Sequence, residues 1–278
     1  MSDAHVSETL TKEDVIRLMA DPSPATRADL AAKLAHNFDD SALTDTERRM
    51  AEDIIRVMAH DAVVRVRQTL AENLKGTPKL PREVALTLAR DVEAVAIPIL
   101  SVSEVLTEQD LVEIVRAGGE GKHTAIARRP TVPASVADAL IESASERAVA
   151  ALVANEGAQL GEKSLGRVID RFGASESVQE PMVHRSRLPL TIAERLVTVV
   201  SEKLQHYLVA NHELPPKIAA DVILQSREHA TATLVSGESD EAALERLVVQ
   251  LARSKLLTPS LLVGALWMGD IAFFETTV

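Results

Sequence analysis

The sequence predicts an all-α protein, a right-handed α-solenoid of two-helix repeats with a period of about 26–30 residues. Three observations lead there. The tetrapeptide Leu-Val-Ala-Asn occurs twice, starting at Leu152 and at Leu208. Both copies belong to a longer series of apolar anchors, Leu70, Ile99, Ile126, Leu152, Met182, Leu208 and Leu234, spaced 29, 27, 26, 30, 26 and 26 residues apart. Aromatic residues are only 2% of a chain that is 46% hydrophobic, so its apolar content is mostly Ala, Leu, Val and Ile. Few rings favour many small helix-on-helix contacts over one large centre. A two-helix repeat this short buries its apolar face only against its neighbours.

The elements follow in chain order. Residues 1–11 are polar and are expected to form a disordered tail. Residues 12–255 carry the repeats. Each has an upstream helix A, such as "EDVIRLMAD", "EDIIRVMAHD", "EVALTLARD", "SVADALIESA", "TIAERLVTVVSE" and "IAADVILQS", with apolar residues three and four apart. Pro81, Pro133, Pro189 and Pro216 precede four of these, where the missing N–H goes unused and φ is already set. A turn and a helix B carrying the anchor follow. "TRADLAAKL" parallels "VRQTLAENL" 40 residues later, with Arg27 matching Arg67, so the first repeat is about a dozen residues longer. The surplus, "FDDSALTDTERRM" near residues 38–50, reads as a polar insertion. Pro98 and Pro181 fall inside predicted B helices and are expected to shorten or kink them. Residues 256–278 read as apolar C-terminal capping helices holding Trp267, Phe273 and Phe274. This end is expected to fold in as a cap, to continue into further repeats, or to pair with a partner or with a second copy as a homodimer.

"MAHDAVVRVRQTLAENLKGTPKLP" from Met58 resembles the short HEAT-like and leucine-rich-repeat-variant helical repeats. Asp61, Val66, Arg67, Leu70, Ala71, Asn73, Leu80 and Pro81 match their order Asp, Val-Arg, Leu-Ala-x-Asn, Leu-Pro. The whole chain is similar to an uncharacterised bacterial family of HEAT-like proteins known only as a domain of unknown function. The resemblance implies an α-solenoid and carries over no activity and no catalytic residue. Later repeats depart from the pattern at the Arg67 position, with Ala96, His123, Val149, Gln179, Gln205 and Thr231.

Three residues after the anchors, Asn73, Arg129, Asn155, Arg185 and Asn211 recur, which predicts a polar stripe at the ends of successive B helices. Such residues hold a partner's backbone or carboxylates, or they terminate helices. Two clusters, Lys122, His123, Arg128 and Arg129, then His184, Arg185 and Arg187, offer a local basic face or a merely solvated one. The candidate partner-binding set is Asn73, Arg128, Arg129, Asn155, Arg185, Arg187 and Asn211. "AGGEGKH" lacks the strand and the Gly-Lys-Ser/Thr ending of a phosphate loop and reads as a turn between helices.

A net charge of −11 argues against nucleic acid as the general partner. The absence of cysteine excludes disulfides, thiolate catalysis and Cys-based zinc sites. The eight histidines show no metal-ligand spacing, and no Gly-x-Ser-x-Gly elbow is present. The expectation is a cytoplasmic, non-enzymatic scaffold or adaptor that presents a long surface to a protein or peptide, with no cofactor, no metal and no membrane span. The alternative is a nucleic-acid-binding protein using the local basic patch, as on HEAT-like DNA glycosylase scaffolds.

Overall fold

A computed structural model describes residues 11–38, 43–212, 216–236, 238 and 240–277, the side chains of 207–212 excepted. The described residues form helices and no strand, and an isolated bridge pairs Val132 with Ala158. The chain divides into two compact units, up to Gln159 and from Leu160. The expected N-terminal tail lies outside the described residues except for Thr11.

The first unit holds α1 (Lys12–Ala20), α2 (Pro24–Phe38), α3 (Asp45–Met58), α4 (Val64–Leu74) and α5 (Arg82–Arg90). It continues with α6 (Glu93–Val102), α7 (Glu108–Ala117), α8 (Glu120–Ala127), α9 (Ala134–Ser143) and α10 (Glu146–Ala154). The B helices pack in succession, α2 on α4, α4 on α6, α6 on α8 and α8 on α10. The A helices α5, α7 and α9 likewise pack in sequence. The anchors Leu70, Ile99, Ile126 and Leu152 are fully buried between these rows. Local chemistry sets the boundaries. Thr11, Thr44 and Thr107 close capping boxes with Asp14, Glu47 and Asp110, each satisfying two otherwise unpaired backbone donors.

A second recurring position lies three residues before the anchor. Arg27 and Arg67 grip Asp61 and Asp91 of the next repeat through two-nitrogen forks, and each gives its remaining nitrogen to the carbonyl of Pro22 or Asp61. Where the arginine is replaced, His123 approaches the carbonyl of Val115 at 2.7 Å, and Gln179 donates to that of Gly173. The residue type changes, but the work of covering a carbonyl near the end of the preceding helix A persists. Ala96 and Val149 have no side-chain donor for this role.

The structure departs from expectation at several points. Of the polar insertion near residues 38–50, Phe38 is the buried last residue of α2 and residues from Asp45 on belong to α3, while residues 39–42 lie outside the described residues. Thr44 and Glu47 start α3 from within the stretch that reads as polar. Pro98 and Pro181 do lie inside helices, α6 and α12 (Glu176–Val183). Pro98 is buried, so apolar packing offsets its missing donor.

The second unit holds α11 (Glu162–Phe172), α12, α13 (Leu190–His212), α14 (Pro216–Ser236), α15 (Glu241–Arg253), α16 (Pro259–Trp267) and α17 (Ile271–Thr277). The helix pair persists in α11 and α12, where the anchor Met182 is buried, but not in the two repeats that follow. The A and B halves around Leu208 are one 23-residue helix, and those around Leu234 are one of 21 residues. Neither Gly nor Pro interrupts residues 190–212 or 217–236, so the helical ladder runs on. α13 and α14 pack on each other, α13 also on α11 and α15, and α14 on α16. Leu190, Val235, Leu247, Leu261 and Phe273 meet in the core. The C-terminal helices contribute Leu261, Ala265 and Phe273 to this core, and Trp267 is 88% exposed. No helix among the described residues is long and apolar enough to cross a membrane.

Candidate functional site

The polar stripe expected after the anchors resolves into caps. Arg129 follows α8 and is only 8% exposed. Its Nη1 donates to the Leu100 carbonyl at 2.7 Å and its Nη2 to that of Ser103 at 2.8 Å. These are orphan carbonyls at the end of α6, the B helix of the preceding repeat. Burial pushes the guanidinium below its usual pKa, partly countered by Glu104. Asn155 repeats the device one repeat later. Its Nδ2 donates to the carbonyls of Ala127 (2.9 Å) and Arg129 (2.7 Å), and its Oδ1 accepts from the Gly157 N–H. Asn73 instead bonds the Thr69 carbonyl of its own helix at 2.8 Å and is exposed. Arg129 is therefore removed from the partner-binding set, because its two terminal nitrogens close the neighbouring helix. Asn155, half-buried, is committed in the same way. The Asn211 side chain lies outside the described residues.

The first basic cluster is dismantled in the same manner. His123 is buried against Val115. Lys122 donates to the Ala89 carbonyl at 3.2 Å, and burial lowers its pKa despite Asp91 nearby. Gly118 and Gly119 form the turn between α7 and α8, while Gly121 sits in the first turn of α8. The Gly121 N–H donates to Glu93 Oε1 at 3.1 Å, and a Cβ there would lie 2.5 Å from that carboxylate. The glycine thus admits a carboxylate to the positive end of α8. The second cluster belongs to the other unit, with His184 and Arg187 exposed and Arg185 half-buried.

Arg128 escapes this pattern. It is exposed at the end of α8 and has no ion-pair partner among the described residues. It borders a groove of about 460 Å³ formed by α6, α8 and the start of α10. Glu93, Ile97 and Ser101 line it from α6, Glu120 and Thr124 from α8, and Arg147 from α10, so two carboxylates share the groove with the two arginines. Arg147 reaches Glu120 at 3.6 Å, both largely exposed, a pair that rearranges at little cost. Arg147 lies five residues before the anchor Leu152, as Arg65 lies before Leu70, but the repeats between them put Ala94 and Gly121 there, so sequence reasoning missed it.

Two grooves lie in the second unit. One, of about 590 Å³, is bordered by Arg195, Arg246 and Arg253 together with Glu162 and Glu245. Behind it Glu194 is buried, its carboxylate held by Thr198 and Gln250. Arg195 is engaged by Asp170, and Glu162 is engaged by Thr191. The other, of about 600 Å³, has an apolar floor of Val248 and Val249 beneath Glu241, Glu245 and Glu275. Among the described residues no three His, Asp or Glu converge as metal ligands.

An all-helical protein whose recurring polar residues close helix ends, and whose grooves are shallow, defines the class. The chain belongs to the family described as an uncharacterised protein conserved in bacteria (DUF2336), whose match spans residues 95–278. That match takes in α6 from Val95 through α17. No curated protein and no solved structure matches the chain.

Proposed function

We propose that the unit up to Gln159 is a right-handed solenoid of HEAT-like repeats and that the chain acts in the cytoplasm as a non-enzymatic scaffold for a protein or peptide partner. One observation carries this reading. The B helices α6, α8 and α10 present a continuous row whose caps point inward, while Arg128, Arg147, Ser101 and Thr124 face a shared groove. An unpaired guanidinium beside hydroxyls and the Ile97 side chain suits an extended segment carrying a carboxylate. The repeats supply a rigid base, and the arginines supply orientation.

The test is the double change Arg128→Glu/Arg147→Glu, with the exposed Arg116→Glu on α7 as the control. The groove variant is expected to lose cross-linked partners that wild type and control retain, with unchanged helicity and melting. Equal retention by all three proteins would move partner binding away from this groove.

A further inference from the structure

We propose that the groove between α15 and α17 takes a basic amphipathic helix of a partner protein. This is a second recognition site, separate from the Arg128 groove and opposite to it in charge. The groove encloses about 600 Å³, which is within the range of ligand sites. Leu244, Val248 and Val249 of α15 and Ala272 of α17 supply its apolar lining. Leu244 and Val248 belong to the packed core, as do Leu247 and Phe273 on the same two helices, so the floor is held by the fold. Val249 is 49% exposed and stands up from that floor. Along α15 the lining runs from Glu241 to Val249, about 12 Å at 1.5 Å per residue, or two turns of a docked helix.

Charge selects the occupant. Glu238, Glu241, Glu245 and Glu275 line the groove, and no basic residue does. The imbalance extends beyond the lining: residues 236–245 and 270–277 add Asp240 and Asp270 to these four and contain no Lys, Arg or His. Glu245 and Val249 also border the neighbouring groove, but Arg195, Arg246 and Arg253 line only that one. Arg246 is spoken for by Glu162 at 3.6 Å and Asp240 at 4.0 Å. Helix chemistry explains two of the acids: Asp240 caps α15, and Glu241 suits its positive end. It does not explain the others. Glu245 stands four residues after Glu241, a like-charge spacing that weakens a helix. Glu275 lies in the last turn of α17, where the dipole disfavours an acid. Glu241, Glu245 and Glu275 have no ion-pair partner among the described residues. Cations laid along the groove relieve both unfavourable placements. A bare apolar floor accepts any apolar surface, whereas carboxylates on the α15 and α17 walls admit a helix whose apolar ridge is flanked by Lys or Arg. The same carboxylates repel nucleic acid and acidic segments.

Fluorescence anisotropy with the full chain is the test. The probes are a labelled leucine–lysine peptide patterned as an amphipathic helix, the same residues in shuffled order, and oligolysine. Wild type is expected to bind the patterned peptide about tenfold more tightly than the other two. Glu241→Gln/Glu245→Gln/Glu275→Gln and, separately, Val249→Ser are each expected to lose about tenfold in affinity with unchanged helicity. Glu13→Gln/Glu83→Gln/Glu202→Gln removes the same charge at exposed positions elsewhere and is expected to bind as wild type does. Arg128→Glu/Arg147→Glu is also expected to bind the peptide, so a failure here is distinct from a failure of the Arg128 groove. A wild-type chain that ignores the patterned peptide, or binds shuffled peptide or oligolysine equally well, overturns the proposal. So does undiminished binding by the groove variants, or an equal loss in the control triple.

Discussion

Arg128 and Arg129 are adjacent and chemically identical, yet the structure assigns them opposite sensitivities. Changing Arg129 to alanine removes two charge-assisted bonds, at 2.7 and 2.8 Å, and leaves the carbonyls of Leu100 and Ser103 buried and open. Each such bond contributes about 1.5–3 kcal/mol. The guanidinium is largely desolvated and its Nε has no acceptor, which offsets part of the gain. The net loss expected for Arg129→Ala is therefore about 3 kcal/mol. For a unit of this size that lowers Tm by roughly 6–12 °C. Arg128→Ala changes an exposed side chain and should stay within about 0.5 kcal/mol of wild type. Arg129→Lys should recover only part of the loss, since one ammonium does not reproduce the two-nitrogen fork. The assay is urea unfolding followed by far-ultraviolet circular dichroism, comparing midpoints at equal m. If Arg129→Ala proves as harmless as Arg128→Ala, the inward-facing cap is not a stabilising element, and the reasoning that removed it from the partner surface fails.

The Arg82 fork holds Asp110 well below the usual carboxylate range, at about 2 against an ordinary 3.8. A lowered folded-state pKa stabilises above the unfolded value and is lost as pH falls through the folded one. The stability difference between wild type and Asp110→Asn should thus shrink between about pH 4 and pH 2, by at most about 2 kcal/mol given that Arg82 is half exposed, as read from urea midpoints across that range. Gly157→Ala would place a Cβ 1.9 Å from the Pro130 carbonyl oxygen and should cost about 2–3 kcal/mol by thermal melting. Gly161→Ala meets nothing within 4 Å and is the matched control. Trp267, the one tryptophan, should emit as a fully solvated indole and be quenched freely by iodide; blue-shifted, protected emission would place it against another surface.

Much of this organisation is legible in the residues. The anchors Leu70, Ile99, Ile126 and Leu152 are apolar at the repeat spacing of 26–29 residues, and the structure buries each of them. Helix starts were readable where Thr precedes an acidic residue by three, as at Thr107 and Asp110. The site was less legible. Arg128 and Arg129 carry identical side chains, so only the position of the neighbouring helix decides which one is buried. Arg147 shares its register with Arg65, but Ala94 and Gly121 hold that place in the repeats between, and it became a candidate only because α10 carries it beside α8.

Helical character and the spacing of buried anchors were determined by the sequence alone, because side-chain periodicity is a local property of one segment. Tertiary structure decided what the polar recurrences do. Asn155 and Arg129 each satisfy carbonyls 26–29 residues earlier in the chain, a partnership no local pattern can express. It also decided that an apolar stripe along α13 is core at Leu196 and open at Leu204, since burial depends on which other helices reach that point and not on the residues of the stripe.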